Sequence, residues 1–234
     1  MPPGPTFLKN RRADVRDTAP WSPFAYVGGR LRLLVGGLVR SAALPSGSRV
    51  LDYGCADAPY RSDIAAGLTY VGADLEGNPQ ADVILRPDGT LPVEDDSYDL
   101  VLSTQVLEHV EAPDRYLAES LRVLRPGGTL VLSTHGIMYY HRDPEDYWRW
   151  TSVGLRRTVE AAGFTVVELK GVLGLSAAAL QLFQDATYPR MPRILKRPYA
   201  LVMQTLIRFA DRFYTDEARI DNGLVIAVRA VKPG

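Results

Sequence analysis

The sequence is short of three features that would each indicate a different class of protein. Its 234 residues include one cysteine, Cys55, which excludes an internal disulfide framework. No stretch approaches the ~18 consecutive apolar residues of a membrane-spanning helix, and the first residues show no signal-peptide pattern. The 27 basic and 27 acidic residues balance, so no charge excess points to nucleic acid. We therefore expect a soluble, cytoplasmic protein that has no transmembrane segment and does not bind nucleic acid.

The hydrophobic content of 46% is enough for one substantial core in a chain of this length. Residues 1–47 divide into a proline- and charge-rich arm and a helical pattern from Trp21 to Leu44. Residues 48–234 read as one α/β domain, with a helical insertion at about 172–219 before the last predicted strand.

The stretch Arg49–Tyr60, RVLDYGCADAPY, predicts a strand, a glycine turn and a helix. Asp52 closes the apolar run at the carboxyl edge of the strand, where open α/β sheets bind their ligands. Gly54 lets the backbone pass close to a ligand because no side chain stands in the way. A dinucleotide site is disfavoured, since the next glycine is Gly67 and Asp57 would repel a phosphate at the helix entry.

Asp74 ends the next apolar run, about 20 residues further on, at the spacing from which an acid reaches a ribose diol. Together with Asp52, it predicts two carboxylates around one strand edge. Such a pair suits a ligand with a positive group at one end and sugar hydroxyls at the other, as in an aminoacyl-nucleoside. The alternative is that both acids only cap their strands.

Four features carry a family resemblance: LDYGCADAPY, the acid Asp74, LPVEDDSYDLVLSTQVLEHV and LRVLRPGGTLVLST. In this order they resemble the class I S-adenosylmethionine-dependent methyltransferases, and most nearly the type 11-like branch. The resemblance covers Ser48 to about Gly171 and departs at Ala56, where the family usually has a second glycine. It implies an α/β fold with a Rossmann-like seven-stranded sheet, helices on both faces and a helical insertion before the last strand.

The resemblance also implies the cofactor, S-adenosylmethionine, its product S-adenosylhomocysteine, and a set of contacts. Asp88 would meet the adenine, although Pro87-Asp88-Gly89 is also a good turn, and Ser103 and Gln105 would meet the methionine end. The helix before residue 47 would cover the cofactor or only pack on the core. The implied cofactor-binding residues are Asp52, Gly54, Ala56, Tyr60, Asp74, Leu75, Asp88, Gly89, Ser103 and Gln105.

The segment Thr134–Trp150 follows a strand and is too polar for a core and too aromatic for plain solvent, which is typical of functional loops. Methyl transfer to a hydroxyl needs a base, and histidine suits neutral pH. We rank His141, close to Asp143, first, then His135, then His109 beside Glu108. Each histidine is alternatively structural. The predicted acceptor contacts are Tyr139, Asp146, Tyr147, Trp148 and Arg149, although one tryptophan could instead anchor the loop.

Related sugar and natural-product O-methyltransferases carry a similar run, and the Ala-, Arg-, Leu- and Gly-heavy composition resembles actinobacterial chains. We therefore expect a small-molecule or oligosaccharide acceptor, with a phenolic or polyketide acceptor as the alternative. No clear metal motif is present, but magnesium held through Asp143 or Asp146 stays open. An NAD-linked oxidoreductase and a non-catalytic cofactor-binding partner are alternatives of other classes. The insertion could roof the acceptor pocket, form a homodimer face or rest on a membrane surface.

Overall fold

The computed structural model describes residues 15–64, 67–140 and 145–234, and seven strands among them form one sheet. In chain order the strands are β1 (Arg49–Tyr53), β2 (Thr69–Asp74), β3 (Val83–Ile84), β4 (Tyr98–Thr104), β5 (Leu124–His135), β6 (Thr165–Val172) and β7 (Val225–Val231). The order across the sheet is β3-β2-β1-β4-β5-β7-β6. Only β7 runs antiparallel to its neighbours within this sheet of described residues. The predicted Rossmann-like seven-stranded sheet is confirmed.

Helices cover both faces of the sheet, as predicted. They are α1 (Ala25–Ser41), α2 (Pro113–Val123), α3 (Ser152–Ala161), α4 (Leu175–Thr187), α5 (Arg193–Asp211) and α6 (Asp216–Asn222). The apolar stripes of α2 and α3 pack on one face, and those of α1, α4 and α5 pack on the other. Within the described ranges no helix has both the length and the apolar character needed to cross a bilayer.

The central strand β4 places the site. The apolar run Tyr98–Ser103 predicts a buried middle strand, and β4 lies between β1 and β5 with Leu100, Val101 and Leu102 fully buried. From β1 the chain continues to β2 on one side, whereas β4 lies on the other. The carboxyl ends of β1 and β4 therefore form the crevice at which such sheets bind ligands.

The helix predicted after Pro59 is wrong for the residues that the structure describes. Only a single 3₁₀ turn, Arg61–Asp63, follows the glycine turn, and Ile64 is already extended. Two alanines before it, Ala56 and Ala58, have left-handed φ angles of 48° and 49°, which a helix cannot continue from. Local hydrogen bonding in the turn outweighs the helical spacing of the sequence.

The first helix, α1, belongs to the same core as the sheet. Val27, Leu31 and Val35 are almost completely buried. The carbonyl of Pro23, just before α1, accepts hydrogen bonds from the side chains of Gln181, Gln184 and Gln204. Helix α1 is thus tied to α4 and α5 of the insertion, and the predicted domain boundary near residue 47 and the lid role stay predictions.

Candidate active site

A cavity of about 350 Å³ lies at the carboxyl edge of the sheet, where β1, β4 and β5 end. Its walls come from the turn after β1, the ends of β4 and β5, the start of α1, and the roof formed by α4 and the turn that follows it. That volume lies within the range of small-molecule sites. The lining residues used below are Phe24, Gly54, Cys55, Ala56, Asp57, Tyr60, Thr104, Gln105, His109, His135, Met138, Tyr139, Asp185 and Tyr188.

The glycine turn is built so that only glycine fits at its first position. Gly54 has a φ of +87°, and a Cβ placed there would lie 2.5 Å from Cγ2 of Val106. The backbone therefore forms the cavity wall directly. Ala56, two residues later, is also left-handed and lines the cavity, and its N–H donates to Oδ2 of Asp74 at 2.7 Å. The turn is thus a preformed cradle in which the backbone itself faces the cavity.

Cys55 and Tyr60 line the same wall, and burial keeps both protonated. Burial, with Asp52 nearby, raises the pKa of the Cys55 thiol and of the Tyr60 hydroxyl. The interpretation of Cys55 as a small buried side chain fits this environment, because the thiolate is the reactive form.

The two predicted carboxylates lie behind the turn and support it. Asp52 is fully buried, and its Oδ2 accepts a hydrogen bond from the Tyr70 hydroxyl at 2.6 Å. Oδ2 of Asp74 accepts from the Ala56 N–H and from Nδ2 of Asn78, both at 2.7 Å, and Oδ1 accepts from the Leu75 N–H at 2.7 Å. These bonds hold the cradle in shape, while direct contact of either acid with the cofactor stays a prediction.

Asp88 closes its own turn at the other end of the predicted site. Its Oδ1 accepts from the backbone N–H and the hydroxyl of Thr90 at 3.0 and 2.7 Å, and these bonds lower the pKa of the exposed carboxyl. The Gly89 carbonyl accepts from the Tyr53 hydroxyl at 2.5 Å. The structure thus shows the turn interpretation, and the adenine contact stays a prediction.

The end of β4 brings one of its two predicted residues to the cavity. Gln105 lines the cavity, and its Nε2 donates to Oγ of Ser133 at 3.2 Å. Ser103 is fully buried and its Oγ accepts from the Tyr116 hydroxyl at 2.8 Å. Ser103 therefore braces the strand against α2.

A buried acid–histidine pair faces the cavity from β5 and the turn after β4. His135 ends β5, and its Nε2 lies 3.2 Å from Oε1 of Glu108. Glu108 is completely buried, and its Oε2 accepts from the Thr134 hydroxyl at 2.8 Å. Burial raises the pKa of Glu108 to about 7, and the charge of Asp146 adds to this effect. Glu108 therefore changes its protonation state near neutral pH.

Of the other two candidate bases, the structure describes His109 but not His141. His109 lines the cavity, its Nδ1 lies 2.5 Å from the carbonyl oxygen of Glu145, and its ring centre is 6.3 Å from that of His135. The first-ranked base, His141, and its neighbour Asp143 lie outside the described residues, so their roles stay predictions.

The aromatic loop is held down by its own polar residues. Arg149 donates to both carboxylate oxygens of Asp146 at 2.6 Å, and it also donates to the carbonyls of Met138 and Tyr139. The Trp148 indole donates to the Val110 carbonyl at 2.8 Å. These bonds explain how the loop closes over the Glu108 segment.

Of the five predicted acceptor contacts, the structure brings one to the cavity wall, Tyr139. The Tyr147 N–H donates to the Glu108 carbonyl at 2.8 Å, and the Tyr147 side chain is about half exposed. Asp146, Tyr147, Trp148 and Arg149 thus sit around the loop rather than among the lining residues, and direct acceptor contacts from them stay predictions.

Sequence reasoning missed Asp185 of α4. It lines the cavity, its Oδ1 accepts from Nε2 of Gln181 at 2.9 Å, and burial raises its pKa to about 6. No donor among the described residues reaches its buried Oδ2. The available signal was a single acid in the otherwise uncharged helix LSAAALQLFQDAT.

No group of three or more His, Cys, Asp or Glu side chains in the described part of the chain is arranged to hold a metal ion. The predicted magnesium alternative involves Asp143, which lies outside the described residues, so it stays an alternative.

Comparisons with known proteins agree with this geometry. A family model described as a methyltransferase domain matches residues 27–169. An uncharacterized methyltransferase from Mycolicibacterium vanbaalenii is 40% identical over 114 residues, 43% of this chain and 45% of that protein. A malonyl-[acyl-carrier protein] O-methyltransferase from Methylococcus capsulatus is 33% identical over 118 residues, 46% of this chain and 43% of that protein. The matches thus span a little under half the length of each relative.

Solved structures share the fold. A [4+2]-cyclase superposes with a TM-score of 0.59 at 20% identity, covering 99% of this chain and 88% of its own. A phosphoethanolamine N-methyltransferase from Haemonchus contortus, in complex with S-adenosylhomocysteine, gives 0.56 at 17% identity, covering 95% of this chain and 59% of its own. Because the family model alone covers more than half of the sequence, this chain belongs to the class I S-adenosylmethionine-dependent methyltransferase family.

Proposed function

We propose that the chain methylates a hydroxyl group of a small acceptor, first of all a sugar or an oligosaccharide precursor, with His135 as the base. The observation that carries the proposal is the pairing of His135 with the buried Glu108 at the wall of the cavity. When bound, S-adenosylmethionine supplies an electrophilic methyl group. Because the chain belongs to a methyltransferase family, methyl transfer is favoured over the hydride transfer of an NAD-linked oxidoreductase.

The protein has two tasks in such a reaction, alignment and proton removal. Gly54, Ala56 and Gln105 line the cavity where the cofactor belongs, and Tyr139 and Asp185 line it where an acceptor can lie. Fixing two reactants in a reactive geometry can supply up to ~7–11 kcal/mol. The cavity is therefore suited to hold donor and acceptor together.

Proton removal falls to the acid–histidine pair. Nε2 of His135 lies 3.2 Å from Oε1 of the Glu108 carboxyl, and the imidazole ring of His135 receives the acceptor's proton. The carboxylate of Glu108 then stabilises the positive imidazolium and fixes its orientation. Because burial raises the pKa of Glu108 to about 7, its carboxyl becomes ionised as the pH rises through neutrality.

The nature of the acceptor is supported by the cavity's chemistry. Phe24, Tyr139 and Tyr188 offer aromatic faces for the apolar side of a sugar ring, and Asp185 offers a carboxylate oxygen for hydroxyl groups. The match to an O-methyltransferase among the relatives supports oxygen as the acceptor atom. A phenolic or polyketide acceptor is the second candidate, because the same aromatic faces stack on a phenol ring.

The base is tested with the matched variants His135→Gln and His141→Gln. We expect His135→Gln to lower kcat by about 10²–10⁴-fold, the usual contribution of a positioned base, and to leave the affinity for S-adenosylhomocysteine unchanged. The opposite result would contradict the proposal. If His141→Gln shows this loss of kcat and His135→Gln has a normal kcat, the base is His141.

The acceptor is tested with a radiolabelled methyl donor on a glycan panel and on a phenol panel. Turnover on glycans supports the sugar proposal, whereas turnover confined to phenols ends it. A phenol also ionises more readily than a sugar hydroxyl, so the loss in His135→Gln is expected to be smaller with a phenol.

A further inference from the structure

The outward side of α5 is unusual for a helix of a globular protein. Seven large apolar side chains on α5 and the turn after it are between 45% and 84% exposed, namely Ile194, Leu195, Leu201, Val202, Leu206, Phe209 and Phe213. At 100° per residue they project from one side of the helix. We call these residues the α5 face. An exposed apolar surface of this extent marks an interaction site.

The α5 face is not the side on which the helix packs. Ala200, Met203 and Ile207 point the other way and are buried, with Ala200 and Ile207 completely so. Gln204 and Asp211, on that same buried side, bind Tyr26 of α1. Helix α5 therefore has one apolar side that the fold uses and a second one that the fold leaves in solvent.

Most of the charged residues in the stretch that carries the α5 face are basic. The basic residues between 175 and 213 are Arg190, Arg193, Lys196, Arg197, Arg208 and Arg212. None of the six is ion-paired with a carboxylate among the residues that the structure describes. Arg212 instead lies over the rings of Phe209 and Phe213, at 5.5 and 5.7 Å.

The acids of the same stretch do not balance these charges. Asp185 and Asp211 are its only two acidic residues. Asp185 lines the cavity, and Asp211 is fully buried and bound to Arg219 and Tyr26. The exposed charged residues between 175 and 213 are thus all basic, whereas the exposed acids Asp216 and Glu217 follow on α6.

We propose that the α5 face docks on an anionic lipid bilayer. A bilayer surface offers an apolar layer for the exposed side chains and phosphate groups for the surrounding cations, which is how interfacial amphipathic helices bind. A second copy of the chain fits less well. A two-fold dimer places the same surface on both sides, and the exposed Arg208 and Arg212 beside the α5 face would then lie close to their own copies.

The α5 face is also close in the chain to the cavity. Tyr188 and Pro189, in the turn just before α5, line the cavity roof. Docking through α5 therefore places that roof beside the lipid surface. The inference does not depend on which acceptor is methylated, and it is tested without one.

The test is co-sedimentation of the full chain with vesicles. One set contains phosphatidylcholine alone, and the other contains equal parts of phosphatidylcholine and phosphatidylglycerol. We expect binding to the mixed vesicles at low salt, at least tenfold weaker binding to the neutral ones, and weakening at high salt, since the electrostatic attraction is screened. Failure to bind the mixed vesicles, or equal binding to both sets, overturns the proposal.

Two double variants separate the apolar and electrostatic contributions. Leu206→Ser with Phe209→Ser is expected to weaken binding at least tenfold, because two large apolar groups no longer enter the lipid. Arg208→Gln with Arg212→Gln is expected to weaken it about 25-fold, at about fivefold per cation near an anionic surface.

The matched control is Val153→Ser with Arg157→Gln on α3, an exposed apolar and an exposed basic residue away from the α5 face. It should bind the mixed vesicles like the parent, and thermal unfolding should show that all variants fold. Equal weakening in the control overturns the assignment to α5. So does a lipid-free dimer, seen by analytical ultracentrifugation, that Leu206→Ser with Phe209→Ser dissociates.

Discussion

Ala56 shows how a single residue can be held in a conformation that does not suit it. Its φ of +48° is in the left-handed region, where an alanine costs roughly 1–2 kcal/mol. The conformation persists because the Ala56 N–H points at Asp74. Because Ala56 stands where the family usually has glycine, the backbone of the glycine turn is slightly strained at this position.

We predict that Ala56→Gly stabilises the protein by about 1 kcal/mol, since the strain it removes exceeds the added freedom of glycine in the unfolded chain. Thermal or urea unfolding measures the change. Ala118→Gly, the same substitution at an exposed helical position of α2, should instead destabilise by about 1 kcal/mol. If both substitutions destabilise equally, Ala56 is not strained.

Glu108 gives a prediction of pH dependence. Burial raises its pKa from 4.5 to about 7 in the folded protein, so the folded state binds this proton more tightly than the unfolded chain. A raised carboxyl pKa contributes stability that is fully present below the unfolded pKa and is lost as the pH rises through the folded one.

We therefore expect that Glu108→Gln, which introduces a neutral side chain of the same size, removes this loss of stability at rising pH. Relative to the parent, the variant should gain stability between about pH 5 and pH 8, up to about 3 kcal/mol. Urea unfolding across this range measures the gain. Glu111→Gln, an exposed neighbour, serves as the control, and parallel curves for Glu108→Gln and the parent would refute the assignment.

At the scale of elements, the contact between α1 and the insertion depends on three buried glutamines. Gln204 is the most connected of them, because its Nε2 donates to the Pro23 carbonyl and its Oε1 accepts from the Tyr26 N–H. Removing a buried hydrogen-bonding partner costs about 1–3 kcal/mol per group that is left unsatisfied.

We predict that Gln204→Ala lowers the free energy of unfolding by about 2–3 kcal/mol and weakens S-adenosylhomocysteine binding, because Phe24 at the start of α1 lines the cavity. Urea unfolding and calorimetric titration give the two values. Gln80→Ala, at an exposed position, should change neither. A stability loss without any loss of affinity would show that the entry to α1 does not shape the cofactor site.

At the scale of the whole molecule, the cavity proposed as the cofactor site joins segments that are far apart in the chain. The turn after β1, the ends of β4 and β5, and the roof from α4 meet in one cavity. A ligand bound there holds these elements together and stabilises only the folded state.

We predict that S-adenosylhomocysteine at about 100 times its Kd stabilises the protein by about 2.7 kcal/mol. For a chain of this size, this corresponds to a rise in Tm of about 5–10 °C. NAD at the same concentration should produce no shift, because the turn lacks the glycines of a dinucleotide site. Equal shifts with both ligands would contradict the cofactor assignment.

The sequence by itself determined most of the sheet. Strand β4 was predicted from its unbroken apolar run, and strand β1 from the apolar run that Asp52 closes. These elements depend on local patterns that burial then satisfies. The glycine turn was also readable, since the positive φ of Gly54 is a local requirement.

Only the tertiary structure decided how the site is assembled. Glu108 and His135 are 27 residues apart in sequence and meet because β4 and β5 are neighbours in the sheet. Asp185 reaches the cavity only because α4 folds back over the sheet edge. No local pattern records such pairings, because they follow from how whole elements pack. For the same reason, the residues after Pro59 form a 3₁₀ turn instead of the predicted helix, because hydrogen bonds of the preceding turn fix the backbone there.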